Sequence, residues 1–88
     1  MALFAVFALR DTAPLIDTAI QQHFADTSYK VESGKWIVAS EASTAKELST
    51  LLGLTTTWHI ALQVGGYFGF AQSDMWEWIA AKRAKASG

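Results

Sequence analysis

Apolar residues in this 88-residue chain follow two different periods, which predict an alternation of strands and helices. The chain opens with a continuous apolar run from Leu3 to Leu9, whose length suits a strand buried on both faces. Helical spacing follows, predicting a helix from about Ala13 to Phe24 with Asp11 or Thr12 as its N-cap. Pro14 is tolerated in the first turn of such a helix.

Two short β-rich segments come next, separated by Ser33-Gly34. A Ser-Gly pair between such segments is typical of a hairpin turn. We therefore predict strands over Ser28 to Glu32 and Lys35 to Ser40. Side chains alternate across a strand, so Trp36 and Val38 should lie on one face of the sheet, with Ile37 and Ala39 on the other.

A capping box predicts the second helix. Thr44 and Glu47 have the spacing at which a threonine hydroxyl and a glutamate each satisfy one free N–H. Gly53 can adopt a positive φ and so suits the position after the helix. The predicted helix covers about Ala45 to Leu52.

The last two elements are a strand and a helix. Trp58, Ile60, Leu62 and Val64 alternate with more polar positions, which predicts a strand whose apolar face lies on the core. A third helix is expected from Met75 to about Lys85, capped by Ser73 or Asp74. Its acidic residue comes early and its cluster Lys82-Arg83-x-Lys85 late, as the helix dipole favours.

The predicted order β-α-β-β-α-β-α matches the ferredoxin-like βαββαβ pattern with an additional C-terminal helix, in one α+β domain covering residues 1–88. Right-handed crossovers place the first and third strands in the middle of an antiparallel sheet. Helices one and two cover only one face of that sheet, and helix three covers part of the other. We therefore expect a second subunit to complete the cover, as a homodimer.

Composition agrees with this expectation and narrows the classes of function. Hydrophobic residues make up 51% of the chain and charged residues only 17%, below the roughly 25% of an ordinary soluble domain. The net charge of -1 lacks the basic character of strong nucleic-acid binders. There is no cysteine for thiol chemistry or thiolate metal sites. With neither a targeting signal nor a membrane-spanning segment, we expect a cytoplasmic protein.

The segment Gly66-Tyr67-Phe68-Gly69-Phe70 admits three interpretations. Its letters match the phosphate-clamping loop of KH domains, but that loop lies between helices and beside basic residues. It also resembles the aromatic strand of RNA-recognition domains, without the leading basic residue and with altered spacing. The interpretation we favour is a bent strand, whose glycines allow the bend and whose aromatic residues Tyr67, Phe68 and Phe70 anchor an interface.

Trp76 and Trp78 are two positions apart on a helix and so point about 200° from each other. One indole can pack on the domain beside Ile79, while the other is expected to face a partner or solvent. Tryptophan is enriched at interface hot spots, so we favour a dimer or protein-partner contact over a small-molecule pocket.

Few residues are candidates for catalysis or for binding a metal or cofactor. Asp11 is the only catalytic candidate, and a role as a helix cap accounts for it fully. His23 and His59 lack the spacing of metal ligands, so no metal is expected. The sequence has no P-loop, dinucleotide fingerprint or nucleophile elbow, and we expect no cofactor.

The layout resembles a group of small bacterial proteins known as SinR-like or VapD-like, which are similar to the ferredoxin-fold subunit of the CRISPR adaptation complex. The segments that carry the resemblance are S-G-K-W-I-V-A-S, T-A-K-E-L, G-x-x-G-F and W-E-W-I. It implies the fold and a dimer. In the CRISPR subunit an aspartate at the end of strand one is linked to metal-dependent nuclease activity, whereas Asp11 follows the strand.

Four functional hypotheses result. The first is a non-enzymatic homodimer that acts through its own interface or a protein partner, in a mobile-element, toxin–antitoxin or defence setting. The second is a metal-dependent nuclease using Asp11. The third is a binder of single-stranded nucleic acid using Tyr67, Phe68 and Phe70. The fourth is a dimeric α+β barrel enzyme with an apolar pocket.

Overall fold

The computed structural model describes residues 1–66, 68–69 and 73–87, the last five by their backbone alone. It contains four strands and three helices in the predicted order, and the α+β class is confirmed. The elements are β1 (Ala2–Ala8), α1 (Ala13–Phe24), β2 (Ser28–Glu32), β3 (Lys35–Ser40), α2 (Ala45–Leu51), β4 (His59–Gln63) and α3 (Ser73–Ser87).

Helix α1 begins as predicted, but its first turn is held differently. Pro14 lies in that turn, and Thr12 is the N-cap residue without a side-chain capping bond. The Thr12 hydroxyl instead contacts two carbonyl oxygens, those of Leu9 at 2.7 Å and Trp58 at 2.6 Å. Asp11 precedes the N-cap residue. The capping role that the sequence offered to Asp11 is therefore wrong, since Thr12 holds that position. The Thr12 hydroxyl links the helix start to the residue after β1 and the residue before β4.

The predicted hairpin turn, the threonine cap of α2 and the glycine after α2 are confirmed. Gly34 has φ +77° in the β2–β3 turn, where a Cβ atom would be strained. The Thr44 hydroxyl accepts a hydrogen bond from the Glu47 N–H at 3.1 Å and caps α2. Gly53, just after α2, has φ +71°. Local sequence therefore sets both ends of α2 and the hairpin.

All three strand pairings are antiparallel, and the strand order is β2-β3-β1-β4. The strands predicted to be central, β1 and β3, are central. They are paired from Ala2 opposite Ser40 to Phe7 opposite Lys35. This register decides which residues share each face of the sheet.

One face, here called the helix face, packs against α1 and α2. Phe4 and Val6 of β1 and Trp36 and Val38 of β3 lie on it, as the alternation in β3 predicted. They form the main core with the helix residues Ile16, Ile20, Leu48 and Leu52. Because helical and strand periods agree on this face, the core is continuous from helix to sheet.

The orientation of β4 reverses the prediction. Pairing of Ala61 with Val6 and of Leu62 with Ala5 places Ala61 on the helix face and Leu62 on the opposite face. Ile60 and Leu62 are consequently 42% and 46% exposed, and Trp58, just before the strand, is 56% exposed. A one-residue change in register moves every side chain of a strand to the other face of the sheet. The residue beneath α2 is therefore the small Ala61 rather than a large aliphatic side chain.

The face of the sheet opposite α1 and α2, here called the open face, is covered at one end by α3. Ile79 is buried there against Leu3 of β1 and Ala39 of β3. Met75 and Val64 pack at the margin of this second, smaller cluster. As predicted, α3 covers only part of the face. Across the described ranges, no helix has both the length and the apolar character needed to cross a bilayer.

Candidate functional site: an apolar strip on the open face

An apolar strip crosses all four strands on the open face, beyond the end covered by α3. It consists of Val31, Ile37, Ala5, Phe7, Ile60 and Leu62. Val31, Ile60 and Leu62 are each more than 40% exposed. Isolated exposed apolar residues are ordinary on protein surfaces, but a contiguous apolar patch of this kind marks a binding surface.

A cleft of about 340 Å³ lies between this strip and α3. Met75, Trp76 and Ile79 of α3 form one wall, and Leu3, Phe7 and Ile37 of the sheet contribute to the other. Every lining residue that the structure describes is either apolar or glycine. Within the described residues, the lining carries no charged or hydroxyl group, and its apolar surface suits an apolar side chain.

The two tryptophans of α3 both turn toward the sheet. Trp76 and Trp78 are half-buried and pack against the Leu3–Ala39–Ile79 cluster, so the prediction that one would point away is wrong. The Trp78 ring lies 6.0 Å from the Tyr29 ring, centroid to centroid. Tyr29 also donates a hydrogen bond to Asp74, and desolvation together with that carboxylate raises the pKa of Tyr29 above 10.0. These contacts hold α3 beside β2.

The glycine- and aromatic-rich segment leaves the sheet next to the cleft. Phe68 is fully exposed, at 101%, and Gly69 approaches the Trp76 ring. Tyr67 and Phe70 lie outside the described residues. The predicted aromatic interface is therefore described for Phe68 alone, whose ring presents a large apolar surface to solvent.

The structure does not bring the candidate catalytic and metal-binding residues together. Asp11 is exposed in the β1–α1 connection, and His23 is exposed near the end of α1. Beside Asp11, Arg10 has φ +58°, and its guanidinium lies 3.9 Å from the centroid of the Trp58 ring. The cation is therefore engaged with an aromatic face rather than with a carboxylate.

His59 lies on the helix face of β4 and is half-buried. Its Nδ1 lies 2.7 Å from the Thr57 carbonyl oxygen and its Nε2 lies 2.8 Å from the Ser49 hydroxyl. A carbonyl only accepts, so Nδ1 carries a proton, and in the neutral ring Nε2 accepts from the Ser49 hydroxyl. Both ring nitrogens are satisfied, and the pair joins α2 to the edge of the sheet.

Sequence reasoning missed Asp17, the most highly connected acid of the described residues. Its Oδ1 accepts hydrogen bonds from the Gly34 N–H at 2.9 Å and the Trp36 Nε1–H at 2.7 Å. Its Oδ2 lies 3.2 Å from the Ser33 hydroxyl and 3.6 Å from the Lys30 ammonium. The sequence held one indication that Asp17 faces the sheet. Asp17 lies four residues after Ala13 and so shares the side of α1 that continues to Phe24.

Among the residues that the structure describes, no three acidic or histidine side chains are grouped so that they could hold a metal ion. Comparison of the chain with protein-family models, with curated proteins and with solved structures gave no match.

Proposed function

We propose that this protein is a non-enzymatic, ferredoxin-like homodimer that functions through the apolar strip and the cleft beside it. The antiparallel order β2-β3-β1-β4, with crossovers through α1 and α2, supports the ferredoxin-like assignment. The low share of charged residues supports assembly, because it leaves fewer side chains to keep a free sheet face soluble.

The orientation of β4 carries the proposal. The pairing of this strand with β1 places Ile60 and Leu62 on the open face, where they are 42% and 46% exposed. A regular row of large apolar side chains on a half-exposed edge strand costs solvation free energy in a monomer. A second copy of the chain removes that cost, since it presents the same apolar row.

The first prediction concerns Leu62. We expect Leu62→Asp to raise the dimer dissociation constant at least ~100-fold, since an unpaired carboxylate in an apolar interface costs several kcal/mol. The solution mass, measured by light scattering at several concentrations, should fall from about twice 9.6 kDa to 9.6 kDa. A wild-type protein that is monomeric at high micromolar concentration would overturn the proposal.

Leu15 provides the matched control. It is 58% exposed on α1, on the other side of the sheet, and is close to Leu62 in accessibility. Leu15→Asp introduces the same chemical change away from the strip, so it should remain dimeric. If both variants dissociate equally, the effect of the charge is general and the strip is not the interface.

A further inference from the structure

We infer that two copies of the chain join by antiparallel pairing of their β4 strands, about a two-fold axis that passes beside Ala61. This inference rests on the proposed function and names the edge at which the partner binds. It follows from a difference between the two edges of the sheet and from the symmetry of the β4 sequence.

The β2 edge is protected against strand addition. Lys30 and Glu32 place charges on it, and its pairing with β3 is irregular between these two residues. Lys30 contacts the Asp17 carboxylate, and Lys35 of the neighbouring strand contacts Glu32. Charged side chains and bulges are the usual means by which a sheet edge avoids pairing with another chain.

The β4 edge has neither form of protection. The strand reads H-I-A-L-Q, without a charge, and pairs residue for residue with β1 from His59 to Gln63. Within the described part of the chain, the sheet order gives it no neighbour on its outer side. A regular, uncharged edge strand with exposed aliphatic side chains is a template for another strand.

The sequence of β4 is complementary to itself when reversed. With Ala61 opposite Ala61 of a second copy, Ile60 lies opposite Leu62 and His59 lies opposite Gln63. Since opposed residues share a face, Ile60 meets Leu62 on the open face at the ~5 Å separation of cross-strand pairs. One strand thus supplies both halves of the interface, as a two-fold axis requires.

This pairing also accounts for the apolar strip. Joining two four-stranded sheets at β4 makes one eight-stranded sheet in which the two strips are adjacent. Twisted sheets of this size curl, and curling toward the open face encloses the apolar residues of both copies. The edge and the face are therefore parts of one assembly surface.

Disulfide trapping tests the register, because the chain contains no cysteine of its own. In Ala61→Cys the two thiols lie opposite each other in the dimer. We expect them to cross-link under mild oxidation at least ~10-fold faster than the control Val31→Cys, since pairing raises their effective concentration. Val31 is a suitable control because it is exposed on the protected edge.

A second measurement keeps the test decisive if Ala61→Cys folds poorly. A mixture of Ile60→Cys and Leu62→Cys should form the mixed disulfide faster than either variant forms its own, since residue 60 faces residue 62. If no β4 cysteine cross-links faster than Val31→Cys while light scattering still shows a dimer, the pairing is wrong and the proposed function survives. A monomeric wild-type protein overturns both.

Discussion

Replacing Asp17 with alanine is expected to lower the free energy of unfolding by about 3 kcal/mol, although this residue lies outside the apolar core. Its carboxylate accepts hydrogen bonds from Gly34, Trp36 and Ser33, and thereby joins α1 to the β2–β3 hairpin. Truncation leaves the indole N–H of Trp36, a residue only 4% exposed, without its acceptor. Hydrogen bonds to a charged group are the stronger ones, and an abandoned buried donor adds the cost of its lost solvation.

Chemical denaturation followed by tryptophan fluorescence measures this change, and two variants interpret it. Asp26→Ala removes an exposed acid just after α1 and should cost less than ~0.5 kcal/mol. Asp17→Asn keeps one acceptor oxygen and loses the charge, so it should fall between wild type and Asp17→Ala. If Asp17→Ala is as stable as Asp26→Ala, the carboxylate does not hold the hairpin.

The stability that Asp17 contributes should also depend on pH. Burial raises its pKa, but the hydrogen bonds from Trp36, Gly34 and Ser33 and the charge of Lys30 outweigh burial, so the pKa lies below 3.8. A carboxyl with a lowered folded-state pKa stabilises the fold fully above its unfolded value and loses that contribution as pH falls through the folded value. The stability difference between wild type and Asp17→Asn should therefore shrink from about pH 6 to about pH 2.

The part of the fold that depends on local sequence was predictable. The bounds of α1, β2 and β3 agree with those expected from apolar spacing and from the Ser33-Gly34 turn. Strand alternation placed Trp36 and Val38 in the core correctly. In these elements helix capping, turn geometry and periodicity all favour the same structure, which makes single-sequence reasoning dependable.

The site was predicted less well, because it depends on contacts between distant elements. Alternation in β4 identified the apolar row but not its direction, which is fixed by pairing of Leu62 with Ala5 in β1. Asp17 was missed because its partners lie 16 to 19 residues away, in the hairpin. A periodic pattern shows which residues of a strand lie on the same face. Only the register with the neighbouring strand shows whether that face packs on the helices or lies on the opposite side of the sheet.

The register of β4 also decides which apolar residues are available for function. This register turns the apolar row, which alternation alone assigns to the core, toward the surface on the side of the sheet that α3 covers only at one end. Fold and proposed function are therefore linked, since the small residue that lets α2 pack over β4, Ala61, leaves Ile60 and Leu62 for a partner.

Substitution of Gly34 by alanine is expected to destabilise the fold by about 3 kcal/mol, through two separable effects. At φ +77° any side chain is strained, at a cost of ~1 kcal/mol. A Cβ atom would in addition lie 2.9 Å from the Cβ atoms of both Ala8 and Ala13. These methyl groups are fixed directly to β1 and α1 and cannot rotate away, so relief requires the strand, the helix or the turn to move.

Gly53 separates strain from crowding. Its φ of +71° is nearly that of Gly34, but a Cβ atom built there meets nothing within 4 Å. Gly53→Ala should therefore cost only the backbone strain of ~1 kcal/mol, and the difference between the variants, ~2 kcal/mol, measures the crowding. Equal losses in denaturant unfolding would contradict close packing at the turn. A larger loss of stability at Gly34 would show that β1, α1 and the hairpin pack this closely only because residue 34 has no side chain. The N–H of the same glycine donates to Asp17.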